Sequence, residues 1–156
     1  MRVFSHRYVM GNNRRDLSSA SFSSSIMAHL PASASDEDLI SFADAWAKLM
    51  EAEDYVAAFE FTSHEPSMHW TPTLIEQVVK SYGECSPTQK VTLNGKPTDV
   101  SQRKEVTRWE KTRHGCIGEI WYDLNIDGYV CDLTATFDVE EDPDGLTIRL
   151  NDIHVM

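Results

Sequence analysis

Residues 118–139 constrain the fold more than any other stretch of the chain. The text GEIWYDLNIDGYVCDLTATFDV alternates apolar and polar residues on both sides of an Asp127-Gly128 pair, and Asp-Gly is a preferred two-residue hairpin loop because both positions tolerate positive φ. A period of two sends successive side chains to opposite faces, so the segment demands an antiparallel hairpin with one apolar face that other elements must cover. The short loop also sets register. Ile126 is expected opposite Tyr129, Leu124 opposite Cys131, Tyr122 opposite Leu133 and Ile120 opposite Ala135. The inward face is then Ile120, Tyr122, Leu124, Ile126, Tyr129, Cys131, Leu133, Ala135, Phe137 and Val139. The same register places Asp123 directly opposite Asp132 on the outer face, a like-charge pair that weakens a hairpin unless something offsets it.

The flanking text extends the hairpin into a meander. KEVTRWEK precedes it through a turn at 112–115, and LTIRLNDIHV follows an acidic turn at 140–145, which gives four strands in antiparallel order. Carried through the 112–115 turn, the register sets Trp109 opposite Gly118, Lys104 beside Asp123 and Arg108 beside Glu119, a charge ladder that would neutralise the acidic strand. In the last strand Leu146, Ile148 and Leu150 are out of phase with Ile153 and Val155, which implies a bulge near Asn151-Asp152. KVTLNGKPTDV, with Asn94-Gly95 and Pro97, reads as an edge hairpin or an irregular loop.

Upstream of Gly83 the period is helical. Ser35 followed by Asp38 predicts an N-cap, and Leu39, Phe42, Ala43, Trp46 and Leu49 recur at helical spacing. EDYVAAFEF predicts a shorter second helix that Pro66 does not allow to continue. Thr71-Pro72 caps a third with Leu74, Ile75, Val78, Val79 and Tyr82 as its buried stripe. Helices followed by a curved sheet with one apolar face make an α+β roll, three N-terminal helices packed on one face of a curved antiparallel sheet.

A chain of 156 residues with 41% hydrophobic content suits one core. Residues 1–34, Ser-rich and without periodicity, read as a tail or a targeting segment, and residues 35–156 as the single domain. No apolar run approaches the roughly 18 to 20 residues that cross a bilayer, so a cytoplasmic location without membrane contact is expected. Cys85, Cys116 and Cys131, odd in number and widely spaced, read as reduced thiols. The net charge of −11 is unevenly spread: residues 1–35, 36–88, 89–118 and 119–156 carry +3, −9, +4 and −9. Such a domain repels phosphate backbones and suits a basic protein partner rather than nucleic acid.

The segment DLISFADAWAKLMEAEDYVAAFEF, a helix followed by an acidic residue, an aromatic and an Ala-rich second helix, resembles the opening of the NTF2-like, or SnoaL-like, cone superfamily. CDLTATFDVEEDPDGLTIRLNDIHV is similar to the C-terminal part of an uncharacterised bacterial domain family. The superfamily usually places a strand before its third helix, and no strand pattern stands out between Phe61 and Thr71. The resemblance implies a cone whose interior, in some members, performs acid/base chemistry with a buried Asp or His.

HEPSMH differs from the zincin pattern because His64 and His69 are five apart and Pro66 interrupts the helix, so no metal site is expected. G-x-S-x-G, Walker A and dinucleotide fingerprints are lacking, and no cofactor is expected. The inward positions of the hairpin hold neither Asp nor His, so a catalytic group would come from Glu105, Asp54, His69 or His154. Three functions follow. A non-enzymatic binding domain of the immunity type would meet a basic partner on the outer sheet face through Trp121, Asp123, Asp132 and Asp138. A small-molecule binder or isomerase/hydrolase would line its interior with Trp46, Tyr55, Trp70, Tyr122, Tyr129 and His154. An assembly domain would form a homodimer through the outer face.

Overall fold

The computed structural model describes residues 29–156; most of the expected tail, residues 1–28, lies outside the described residues. Three helices lie against one side of a seven-stranded, strongly curled sheet that makes a half-barrel, the α+β roll expected from the change of period.

Helix α1 (Asp36–Glu51) starts at Ser35, whose hydroxyl accepts from Asp38 N while the Asp38 carboxylate accepts from Ser35 N. Its stripe of Leu39, Phe42, Ala43, Trp46, Ala47 and Met50 is buried. Helix α2 (Tyr55–Phe61) is capped by Asp54, and α3 (Pro72–Lys80) by Thr71 with proline at its first position. Between α2 and α3 the chain forms a two-residue strand, β2 (Ser63–His64), and a single 3-10 turn. A strand this short leaves no alternating pattern to read.

The remaining strands are β1 (His29–Leu30), β3 (Val91–Thr92), β4 (Lys104–Arg113), β5 (Cys116–Ile126), β6 (Tyr129–Asp142) and β7 (Gly145–Val155). Their order is β1-β7-β6-β5-β3, with β2 also on β7 and β4 also on β5. At the domain's expected start, the last residues of the presumed tail join the sheet: His29 and Leu30 pair with Thr147 and Leu146, and Ala34 is buried. The segment around Asn94-Gly95 forms no hairpin of its own. Val91 and Thr92 pair with Ile126 and Asn125, and Lys96 makes a single parallel bridge to Tyr129.

The Asp127-Gly128 loop forms as expected, with φ of 49° and 82° and Ile126 opposite Tyr129. The register then departs from the simple reading. Asn125 faces Val130 but Asp123 faces Thr134, so three residues of β6, 131–133, oppose Leu124 alone. A slip of two keeps every side chain on its face, and Tyr122, Leu124, Leu133, Ala135, Phe137 and Val139 are all buried on the helix side. The expected side-by-side pairing of Asp123 with Asp132 is thereby undone, and the bulge separates the two charges. Asp123 accepts from Thr134 Oγ1 (2.8 Å) and Arg103 N (2.9 Å), while Asp132 accepts from the Tyr82 hydroxyl.

The β4–β5 register is also corrected, by a single step. The loop is His114-Gly115 rather than four residues, and β4 is irregular between Arg108 and Arg113, so Lys104 faces Tyr122 and Arg108 faces Gly118. A one-residue shift turns side chains to the other face. Lys104 and Arg108 therefore reach inward to α1, Lys104 Nζ to Asp44 (2.7 Å) and Arg108 Nε to Asp36 (2.7 Å), and the outer charge ladder with Asp123 and Glu119 is not formed. The bulge expected in β7 is present at Asn151, since Thr136 faces Asp152 and Phe137 faces Leu150.

Candidate functional site

The side of the sheet away from the helices carries the side chains that remain available for chemistry. Near its middle Trp121 stands opposite Thr136 and diagonal to Thr134, and both threonines are buried although they point outward. The Arg103 guanidinium sits 4.7 Å over the indole, His154 meets it edge-on at 6.1 Å, and the indole N–H donates to Glu119. Such stacking desolvates an arginine while leaving one face of it for further contacts.

Around this centre the acids outnumber the bases. Register places Glu105, Glu119, Asp123, Asp138, Glu140 and Asp152 on this face together with Arg103 and Arg149. Arg149 binds Asp138 and Glu140 at 2.8 Å each and lies 3.5 Å from Glu65, so Asp138 is neutralised from within the sheet and is not short of a cation. Asp152 lies 3.2 Å from His154 Nδ1. Asp132 projects from the β6 bulge and is exposed. Its hydrogen bond, together with burial as the larger cause, holds the Tyr82 hydroxyl well above the ordinary tyrosine range.

Beside the bulge is a cavity of about 320 Å³ lined by Val100, Arg103, Asp123, Cys131, Asp132, Thr134 and Met156. A second, of about 300 Å³, adds Tyr82, Thr98 and Asp99 and shares Val100, Cys131 and Asp132 with the first. Cys131 is a free thiol, and burial pushes its pKa up, which disfavours the nucleophilic thiolate. These cavities lie beside residues 131–133, which the bulge takes out of one-to-one pairing with β5 while Leu133 stays paired with Val155 of β7. Sequence reasoning missed them because a slip of two preserves the hydrophobic alternation.

The residues proposed as an interior lining are scattered. Trp46 and Tyr122 are almost wholly buried; the first packs edge to face on Phe137 and the second donates to Asp44 Oδ1 (2.6 Å). Tyr55 is buried near Lys80, and Trp70 donates to the Asn151 carbonyl (3.0 Å). Tyr129 is 55% exposed, and His154 stands on the outer face. Of the candidate acid/base groups, Asp54 caps α2, His69 ends the 3-10 turn with φ of 52°, and Glu105 is exposed on β4. His64 Nε2 donates to the Phe59 carbonyl (2.6 Å), and the imidazole stacks on the Phe59 ring. Among the described residues no group of three His, Cys, Asp or Glu side chains is placed to hold a metal ion, and no described helix is long and apolar enough to cross a membrane.

No curated protein and no solved structure matches the chain. A family model does, over residues 47–156, from the second half of α1 to the last residue of the chain, and its description is a domain of unknown function, DUF7668. The chain belongs to the DUF7668 family.

Proposed function

We propose that the protein is a non-enzymatic binding domain whose outer sheet face receives a basic protein partner, in the manner of an immunity or accessory protein. The observation that carries this reading is the face that no described helix covers: six carboxylates with two guanidiniums, arranged around a partly exposed tryptophan. An aromatic anchor with an excess of carboxylates around it offers a partner both an apolar contact and sites for cations, and an acidic field speeds encounter with a cationic partner. The −9 charge of residues 119–156 gives that field its source. The short β2 ahead of α3 supports a likeness to the NTF2-like cone superfamily, in which a strand stands at that place.

A lysine-rich peptide titrated against the protein tests the reading through tryptophan emission. Binding should shift the emission, weaken with added salt, and fall about tenfold in affinity when Glu119→Lys and Asp132→Asn are combined, close charge pairs being worth roughly 1.5 kcal/mol or more when desolvated. An emission change that persists in Trp121→Phe, or an affinity unaffected by the two substitutions, would overturn it.

A further inference from the structure

The chain enters the described fold at one edge of the face that the helices leave bare. His29 of β1 stands opposite Thr147, its Nδ1 3.4 Å from Thr147 Oγ1 and 3.9 Å from Asp142. Leu146 and Ile148 are buried on the helix side of β7, so the imidazole lies on the outer side. Residues before His29 cannot go on along this edge. Continued antiparallel, β1 would next meet Ile148 and then Arg149, but Ser63 of β2 already stands opposite Arg149, and its hydroxyl donates to the Ile148 carbonyl (3.4 Å). The helix side is closed as well, because α2 runs into β2 through buried Thr62. The way left open to the preceding chain is the outer face.

The preceding text is complementary to that face. MRVFSHRYVMGNNRRD carries Arg2, Arg7, Arg14 and Arg15 against Asp16 alone, with Phe4, Tyr8, Val9 and Met10 among the arginines, and LSSASFSSSIMA, which joins it to His29, holds no charge. On the face, six carboxylates with two guanidiniums leave four negative charges over, as many as the segment has arginines. Phe4 and Tyr8 are of the type that packs on an indole such as Trp121. Residues 36–88 are equally acidic, at −9, but the helical layer they build lies on the side of the sheet closed to the entering chain.

We propose that residues 2–15 dock in cis on the outer face around Trp121 and so compete there with a basic partner. The docking stands on charge and chain geometry, and its regulatory meaning rests on the function proposed above. Reach agrees with it. From His29 to Trp121 the path crosses from β1 over β7 and β6 to β5 and shifts along β6 from Glu140 to Thr136, roughly 20 Å at about 4.8 Å per strand and 3.3 Å per residue. A coil as long as residues 17–28 has a root-mean-square span of roughly 20 Å as well. A tethered segment whose span matches its site acts at an effective concentration of about millimolar, so a weak intrinsic affinity is enough to keep the face largely occupied.

The test uses the full chain with exposed Cys85 replaced by serine and a nitroxide attached at Asn12→Cys; the parent lacking Asn12→Cys, treated alike, gives the baseline. NMR signals of Glu119, Trp121 and Asp138 should broaden more than those of α1 and α3. The effect should vanish in about 0.5 M salt, where the screening length is roughly 4 Å, and when Arg2, Arg7, Arg14 and Arg15 are all replaced by glutamine. Those four substitutions should also raise the affinity for the lysine-rich peptide about tenfold, since a face occupied about nine-tenths of the time offers a competitor one tenth of itself. Broadening centred on the helices, outer-face broadening that survives the four substitutions, or equal broadening of a separate isotope-labelled chain mixed with the spin-labelled one would overturn docking in cis. Peptide binding of equal strength with and without the arginines would overturn the competition. Outer-face broadening that behaves as expected in a protein that ignores the peptide, arginines present or replaced, would uphold the docking and refute the basic partner instead.

Discussion

Trp46 and Phe137 meet edge to face at 83° with ring centroids 5.1 Å apart, one from α1 and one from β6, and neither is exposed. Each contact removed from such a pair leaves a cavity that rigid neighbours fill only in part, so Trp46→Ala and Phe137→Ala should each destabilise by about 3–5 kcal/mol. Tyr129 has the same sequence credentials as an inward residue, yet it is 55% exposed at the end of the hairpin. Tyr129→Ala should therefore change stability by no more than about 0.5 kcal/mol. Urea unfolding of the three variants checks both statements, and equal losses would show that the hairpin end is packed. The contrast also marks what a residue pattern conveys. Alternation assigns faces, and Tyr122, Phe137 and Val139 are where it puts them. It carries no information on how far the covering layer extends, and that decides the fate of Tyr129.

At the scale of elements, the legible features were those written in local text: the Ser35 and Thr71 caps, the Asp127-Gly128 loop, and the β7 bulge announced by a break in phase. The illegible ones depend on distant partners. Strand β1 exists only because Leu146 and Thr147 offer an edge, and the two-residue slip in β6 exists where Asp132 finds Tyr82, fifty residues away. Lys104 and Arg108, expected on the outer face, reach α1 because the irregularity of β4 between Arg108 and Arg113 shifts the register by one, and that irregularity has no signature in the composition. The tight fit at β1 gives a prediction. Gly145 has φ of 136°, and a Cβ there would lie 2.2 Å from the Leu30 carbonyl oxygen. Gly145→Ala should push β1 off the sheet at a loss of at least about 1 kcal/mol. A chain beginning at Ser35 already lacks β1, so it should melt below a chain beginning at His29, and Gly145→Ala should hurt it less. Thermal melts of the four combinations test this, and equal penalties in both backgrounds would mean that the strain at Gly145 is purely local.

Over the whole molecule, tyrosine hydroxyls tie the sheet to the helical layer at two separated places. Tyr122 of β5 donates to Asp44 on α1, and Tyr82, just beyond α3, donates to Asp132 in the β6 bulge. Burial, reinforced in each case by the carboxylate that accepts the proton, holds both hydroxyls well above their ordinary value of 10.0. In the unfolded chain they titrate near that value. A raised folded pKa means that the native state keeps its proton where the unfolded chain has lost it. The stability contributed is therefore fully present below about pH 10 and is lost progressively as pH rises from there toward the folded values. The urea midpoint of the wild-type protein should accordingly fall between about pH 9.5 and 11.5, and Tyr122→Phe, although less stable at pH 8 for want of the Asp44 bond, should fall less steeply over the same interval. Absorbance at about 295 nm, where tyrosinate is detected, should show the Tyr122 contribution appearing together with unfolding rather than before it, because ionisation in place would set a buried phenolate against Asp44. Parallel pH profiles for the two proteins, or a Tyr122 titration completed while the fold is intact, would show that this hydroxyl does not link the sheet to α1 in solution.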